Sequence, residues 1–221
     1  MKLENLSCGD YFRIENPIVI DKLKYAVVGN NGTGKTTLLR NLSGNIFPDK
    51  GIFCIDEKEI LYPVIFWKKR NTQRMIQKNV LYIEDYHFIH EKWTLEQNVD
   101  YYLELGDFDK ELLYDYLSRF QLTRLLKNSV GEFSLGTKQK VAICLLFSSR
   151  KKYLMVDEPT LGLDVDSKKK FIEIMDEASK KHIIIVSTND GDIIDSFDKY
   201  IFFEENEVKL IDDNPYYKIA D

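Results

Sequence analysis

The sequence predicts an α/β fold with a largely parallel sheet, on three observations. Apolar runs of strand length alternate with amphipathic segments of helix length. A glycine-rich stretch, residues 29–34, joins the first strong apolar run to a helix. Residues 86–150 pattern almost wholly as helix and read as an α-helical subdomain inserted into the sheet-bearing unit.

In chain order, residues 23–28 read as a buried strand and 36–42 as the helix that follows the glycine-rich loop. Further strands are expected at 79–83, 153–156 and 183–187, and helices at 95–105, 110–120, 138–147 and 167–179. Residues 200–204 and 207–211 suit a terminal hairpin, and the acidic, tyrosine-rich tail after it reads as loose. A chain of 221 residues, 44% hydrophobic, can bury one substantial core. It reads as one domain, 1–221, with 1–85 and 151–221 as the core and 86–150 as the helical subdomain.

Composition argues against several classes. A formal net charge of −5 argues against nucleic acid held on a dominant basic surface. The longest apolar runs, 142–147 and 183–186, fall far short of the roughly 20 residues that span a bilayer. The first residues lack a basic segment followed by an apolar stretch and a small-residue cleavage site, so a cytoplasmic location is expected. Cys8, Cys54 and Cys144 are far apart and in no CxxC spacing, which indicates neither a disulfide framework nor a zinc site. His87 and His90 could share a helical face, but without a third ligand nearby they read as ordinary histidines. The basic cluster of Lys68, Lys69, Arg70, Arg74 and Lys78 reads as a solvated face.

Gly29-Asn30-Asn31-Gly32-Thr33-Gly34-Lys35-Thr36 fits GxxxxGK[ST] in full, after a strand and before a helix, which is the context a phosphate-binding loop requires. Glycines let backbone N–H groups turn inward around phosphate oxygens, and the helix start adds its positive end. Lys35 is placed to reach the β- and γ-phosphates of ATP and the Thr36 hydroxyl to ligate Mg²⁺, with Thr37 next to it among the binding residues. The apolar strand at 153–156 runs into Asp157, Glu158 and Pro159, which sets two carboxylates at the carboxyl edge of the sheet. Asp157 then suits the metal and Glu158 the activation of the attacking water.

Phe133-Ser134-Leu135-Gly136-Thr137-Lys138-Gln139-Lys140 resembles the signature motif of the ABC (ATP-binding cassette) ATPases. Leu161-Gly162-Leu163-Asp164 is similar to their D-loop, and Ser187-Thr188-Asn189-Asp190 falls where the switch-histidine segment does. The resemblance runs from about residue 3 to 211. It implies a P-loop NTPase of the ABC ATPase fold: a mainly parallel core, an N-terminal antiparallel β part and an inserted α-helical subdomain. It also implies a dimer closed by nucleotide, in which Ser134, Gly136 and Asp164 meet the ATP of the partner subunit. Either Tyr11 or Phe12 would face adenine.

As partners the resemblance implies a second cassette subunit, identical or different, and an integral membrane transporter subunit, which would hold this chain at the inner face of the cell membrane. The aromatic-rich residues 86–93 lie where the family forms the groove for that subunit. The signature variant resembles exporter-type ATPases. The alternative, a cassette ATPase acting on nucleic acid or ribosomes, would bring coiled coils, zinc modules or a tandem cassette, none of which is in these residues. A P-loop kinase or GTPase accounts for Lys35 and Asp157 but for neither Ser134 and Gly136 nor residues 161–164.

Two positions depart from the family. Asp85 stands where the Q-loop glutamine is expected; a carboxylate is the harder Mg²⁺ ligand, yet it carries negative charge toward the triphosphate, and substitution and impairment are both open. Asn189 stands at the switch-histidine position, where an amide can donate to phosphate but cannot become cationic.

Overall fold

The computed structural model describes residues 1–21 and 24–216. Strand β1 (Lys2–Cys8) opens the chain, followed by the short β2 (Phe12–Arg13) and β3 (Ile18–Val19). Then come β4 (Lys24–Val28), α1 (Lys35–Leu42), the hairpin β5 (Lys50–Ile55) and β6 (Lys58–Tyr62), α2 (Lys69–Gln77) and β7 (Val80–Ile83). Three helices follow, α3 (Leu95–Glu104), α4 (Lys110–Arg119) and α5 (Leu135–Ser148). The chain returns to the sheet with β8 (Tyr153–Asp157), α6 (Val165–Ser179), β9 (Ile183–Ser187) and the hairpin β10 (Lys199–Glu204) and β11 (Glu207–Ile211).

The sheet runs β6-β5-β1-β2-β11-β10-β4-β9-β8-β7. From β10 to β7 every pairing is parallel, while β1, β5 and β6 pair antiparallel, as the N-terminal β part should. Strands β4, β8 and β9 carry almost unbroken apolar runs because both faces are covered. Alternation along them divides the interior in two. Ala26, Val28, Leu154, Val156, Ile184 and Val186 pack with α5 and α6, whereas Tyr25, Val27, Met155 and Ile185 pack with α1 and the antiparallel strands.

The helix starts are set locally. Thr94 and Gln97 make a reciprocal capping box on α3, the Asp109 side chain accepts from the N–H groups of Glu111 and Leu112 on α4, and Ser134 caps α5, which starts three residues before its expected start. None of the described helices is long and apolar enough to cross a membrane.

The structure departs from the sequence reading in four places. Residues 86–94 form turns rather than helix, pinned by the buried Asn98, whose amide donates to the carbonyls of His90 and Thr94 and accepts the His90 N–H. The β5–β6 hairpin and α2 were not foreseen; α2 buries only Ile76, too little for an apolar period to register. In the tail, Asn214 is buried and donates to Asp195 at 2.7 Å, so the described part is held rather than loose. Leu23, the expected start of β4, and residues 217–221 lie outside the described residues.

Leu154 sits on β8, paired on both sides by β7 and β9, with no exposed surface. Leu154→Ala should destabilise the fold by about 2–5 kcal/mol, read as a lower urea midpoint at unchanged m-value.

Candidate functional site

The loop of residues 29–34 leaves β4 and enters α1 with little room for side chains. A Cβ on Gly29 would stand 2.6 Å from Cβ of Phe203 on β10, and one on Gly34, whose φ is +107°, would meet the Tyr11 backbone and Cβ at 3.3 and 3.2 Å. The Thr33 hydroxyl donates to the Asn30 carbonyl at 2.8 Å and braces the turn. Lys35 is buried and folds back over the loop, donating to the carbonyls of Gly29 (2.7 Å) and Asn30 (3.2 Å). Burial lowers its pKa, against the pull of Glu158 and Asp157.

Across from the loop, the parallel register sets Asp157 at the end of β8 beside Ser187 at the end of β9. Asp157 accepts from the Thr36 hydroxyl through one carboxylate oxygen and from Ser187 through the other. Glu158 follows with φ at +42°, a strained left-handed conformation for a non-glycine residue, and its N–H donates to the Ser187 carbonyl at 3.0 Å. Burial raises the Glu158 pKa; Lys35 opposes the shift and Asp157 adds to it. Asn189 closes the edge, its amide donating to Asn31 Oδ1 at 3.3 Å while its own Oδ1 accepts from the Tyr216 hydroxyl at 3.0 Å.

These groups surround a cavity of about 300 Å³ lined by Tyr11, Asn31, Gly32, Gly34, Lys35, Thr36, Thr37, Asp157 and Glu158. Of the two candidate aromatics, Tyr11 lines the cavity, whereas Phe12 is buried edge-on against Phe203. Gly29, Asn30 and Thr33 form the back of the loop. The juxtaposed Thr36 and Asp157 oxygens are a hard donor set of the kind Mg²⁺ takes. Among the described residues no group of three or more His, Cys, Asp or Glu side chains gathers as an all-protein metal site.

Asp85 lines a different cavity, with Tyr82, Glu84, Phe88, Tyr102 and Phe108 among others, and its carboxylate is engaged by His87 at 2.6 Å. His90 stacks on Trp93 with ring centroids 4.1 Å apart. Ser134, Gly136 and Asp164 do not line the cavity at the glycine-rich loop. Ser134 caps α5, and Gly136 lies so near the 161–164 loop that a Cβ would be 2.5 Å from the Gly162 carbonyl oxygen. Asp164 caps α6 and takes Lys140 Nζ at 3.1 Å, and these hydrogen bonds hold its pKa well below the carboxylate range. Leu135, Leu161 and Val165 are left exposed around this junction.

Sequence reasoning missed Ser187 and Tyr216 as site residues. Ser187 could have been found from the parallel register, since it is the polar end of an apolar strand as Asp157 is. The contact of Tyr216 with Asn189 spans 27 residues and carries no local signal.

A family model described as ABC transporter matches residues 21–161. The chain is 28% identical over 193 residues to the ABC transporter ATP-binding protein YtrB of Bacillus subtilis, a match covering 86% of this chain and 62% of that protein. It is 27% identical over 220 residues to the cytochrome c biogenesis ATP-binding export protein CcmA of Aliivibrio fischeri, covering 96% and 98%. Its fold is that of a solved ATP-binding subunit of an ABC transporter, with a TM-score of 0.81 at 24% identity over 96% of this chain and 89% of that one.

The raised Glu158 pKa fixes the sign of a stability effect. With its folded pKa above the unfolded value, stability is fully present below the unfolded pKa and is lost as pH rises through the folded one. Glu158→Gln removes that loss. Without nucleotide it should melt above wild type at pH 7, and the gap should close below about pH 4, under the ordinary glutamate range.

Proposed function

The chain belongs to the ABC transporter family, and on that premise we propose that it is the ATP-hydrolysing subunit driving a separate membrane transporter subunit, in the direction of export. One observation carries the catalytic part of this reading: Lys35, Thr36, Asp157 and Glu158 meet on a single cavity behind a glycine-rich loop. Backbone N–H groups of residues 29–34 and the start of α1 cradle the phosphates, and Lys35 exchanges its two loop carbonyls for phosphate oxygens. Thr36 and Asp157 hold Mg²⁺, which would neutralise phosphate charge when bound.

Glu158 orients and deprotonates water. Its desolvation supports that role, because a carboxylate with a raised pKa is a stronger base. Asn189, linked to Asn31 of the loop, donates to the γ-phosphate in place of an imidazole, and Tyr11 packs on adenine. Asp85, at the Q-loop position, would ligate the metal only after release from His87.

The helix end bearing Ser134 and Gly136 does not reach the chain's own cavity, which supports its use in trans. The exposed Leu135, Leu161 and Val165 around it suit burial in a dimer, with Asp164 shaping the loop that crosses to the partner's ATP. The domain reading is a single cassette in which 86–150 form the helical subdomain and 1–85 with 151–221 the nucleotide-binding core. A mostly apolar cleft of about 360 Å³, lined by Tyr82, Phe88, Tyr102 and Phe108 among others, suits a helix of the membrane subunit and would place the chain on the cytoplasmic side. The export direction is supported by the likeness to CcmA along nearly its whole length.

Lys35→Ala should abolish tight Mg-ATP binding by calorimetry, and unchanged affinity would overturn the phosphate-loop reading. Glu158→Gln should bind ATP normally, lose turnover by at least about 10²-fold and accumulate as an ATP-bound dimer by light scattering. Asn189→His should raise ATP turnover by about tenfold or more if the amide limits the chemistry.

A further inference from the structure

The tail after β11 turns back to the catalytic edge and stays there. Asn214 is buried, its amide donates to Asp195 Oδ1 at 2.7 Å, and its own Oδ1 accepts the Tyr216 N–H at 3.0 Å. With Pro215 also buried, this turn sets the Tyr216 ring beside the β9 edge, where its hydroxyl meets Asn189 Oδ1.

We propose that Tyr216 is a positioning residue for ATP hydrolysis, which holds the Asn189 carboxamide with its NH₂ group toward the phosphate loop. The inference rests on the role proposed above for Asn189. A carboxamide has a donor face and an acceptor face of nearly equal shape, and only the donor face stabilises phosphate oxygen. Left to itself the group can flip, and the flipped form turns a carbonyl oxygen to the γ-phosphate. A hydroxyl donating to Oδ1 occupies the acceptor face, so NH₂ is left pointing at Asn31 of the loop. The phenol stays a donor because burial, with the charge of Glu158, raises its pKa. Tyr216 thus acts on the amide as a hydrogen-bonded neighbour acts on an imidazole, where the bond made by one ring nitrogen sets what the other presents.

The test is single-turnover hydrolysis of Mg-ATP by the full chain in excess, a format that reads slow rates, on wild type, Tyr216→Phe, Asn189→Ala and the double variant, with thermal melts as a check on folding. Tyr216→Phe should lower the rate about threefold to tenfold, the range of one neutral hydrogen bond, while Mg-ATP affinity by calorimetry stays within about twofold. In the Asn189→Ala background the same change should have no further effect. A Tyr216→Phe rate equal to wild type overturns the proposal, as does an equal loss in the Asn189→Ala background, which would mark a general structural effect. A faster Tyr216→Phe also overturns it and shows instead that the tail obstructs the site. These outcomes are separable from failure of the role proposed for Asn189, which Asn189→Ala by itself would show by hydrolysing Mg-ATP at the wild-type rate.

Discussion

A strand buried on both faces can carry polar groups only at its ends, and that constraint governs this molecule. Strands β4, β8 and β9 are apolar along their length and turn polar at the carboxyl edge, as Gly29, Asp157 and Ser187 with Thr188. Because the three strands run parallel and in register, their polar ends arrive together. Asp157 then binds Thr36 on one side and Ser187 on the other, so the start of α1, the end of β8 and the end of β9 are tied through one carboxylate. The phosphate loop is fixed from beneath by Phe203 of β10 and from the side by the turn at Tyr11, neither of which leaves space for a Cβ at Gly29 or Gly34.

The same edge concentrates unfavourable groups. Glu158 combines a left-handed backbone with a carboxyl group whose ionised form burial disfavours, and Lys35 is an ammonium group removed from water beside two loop carbonyls. In the proposed function each becomes useful once polyanionic nucleotide enters: the lysine would gain phosphate partners and the glutamate would keep enough basicity to accept a proton. A site stabilised for its empty state would satisfy these groups internally and lose that readiness.

The α5 start follows a different logic. Ser134, Gly136 and the 161–164 loop form a tight junction of backbone on backbone, surrounded by exposed Leu135, Leu161 and Val165, and they lie outside the cavity at the phosphate loop. The dimer proposed above would cover this surface and bring it to the partner's nucleotide.

The sequence by itself determined most of the strands and helices of the parallel core, though neither the β5–β6 hairpin nor α2, and the motifs carried by contiguous residues. Helix caps at Thr94, Asp109, Ser134 and Asp164, the eight residues of the phosphate loop and the Asp157-Glu158 pair are local patterns, because hydrogen bonds within a few residues or a short period of apolar side chains enforce them. What only the tertiary structure decided depends on distance through space. It turned Tyr11 to the cavity and Phe12 into the core, two neighbours with opposite fates because Tyr11 belongs to the turn before β2 and Phe12 to the strand itself. It gave Asp85 to His87 rather than to Thr36 and Asp157, and added Ser187 through sheet register. It also brought Tyr216 onto Asn189, because burial of Asn214 and Pro215, a property of the folded surface and not of the tail's composition, anchors that segment against the sheet edge.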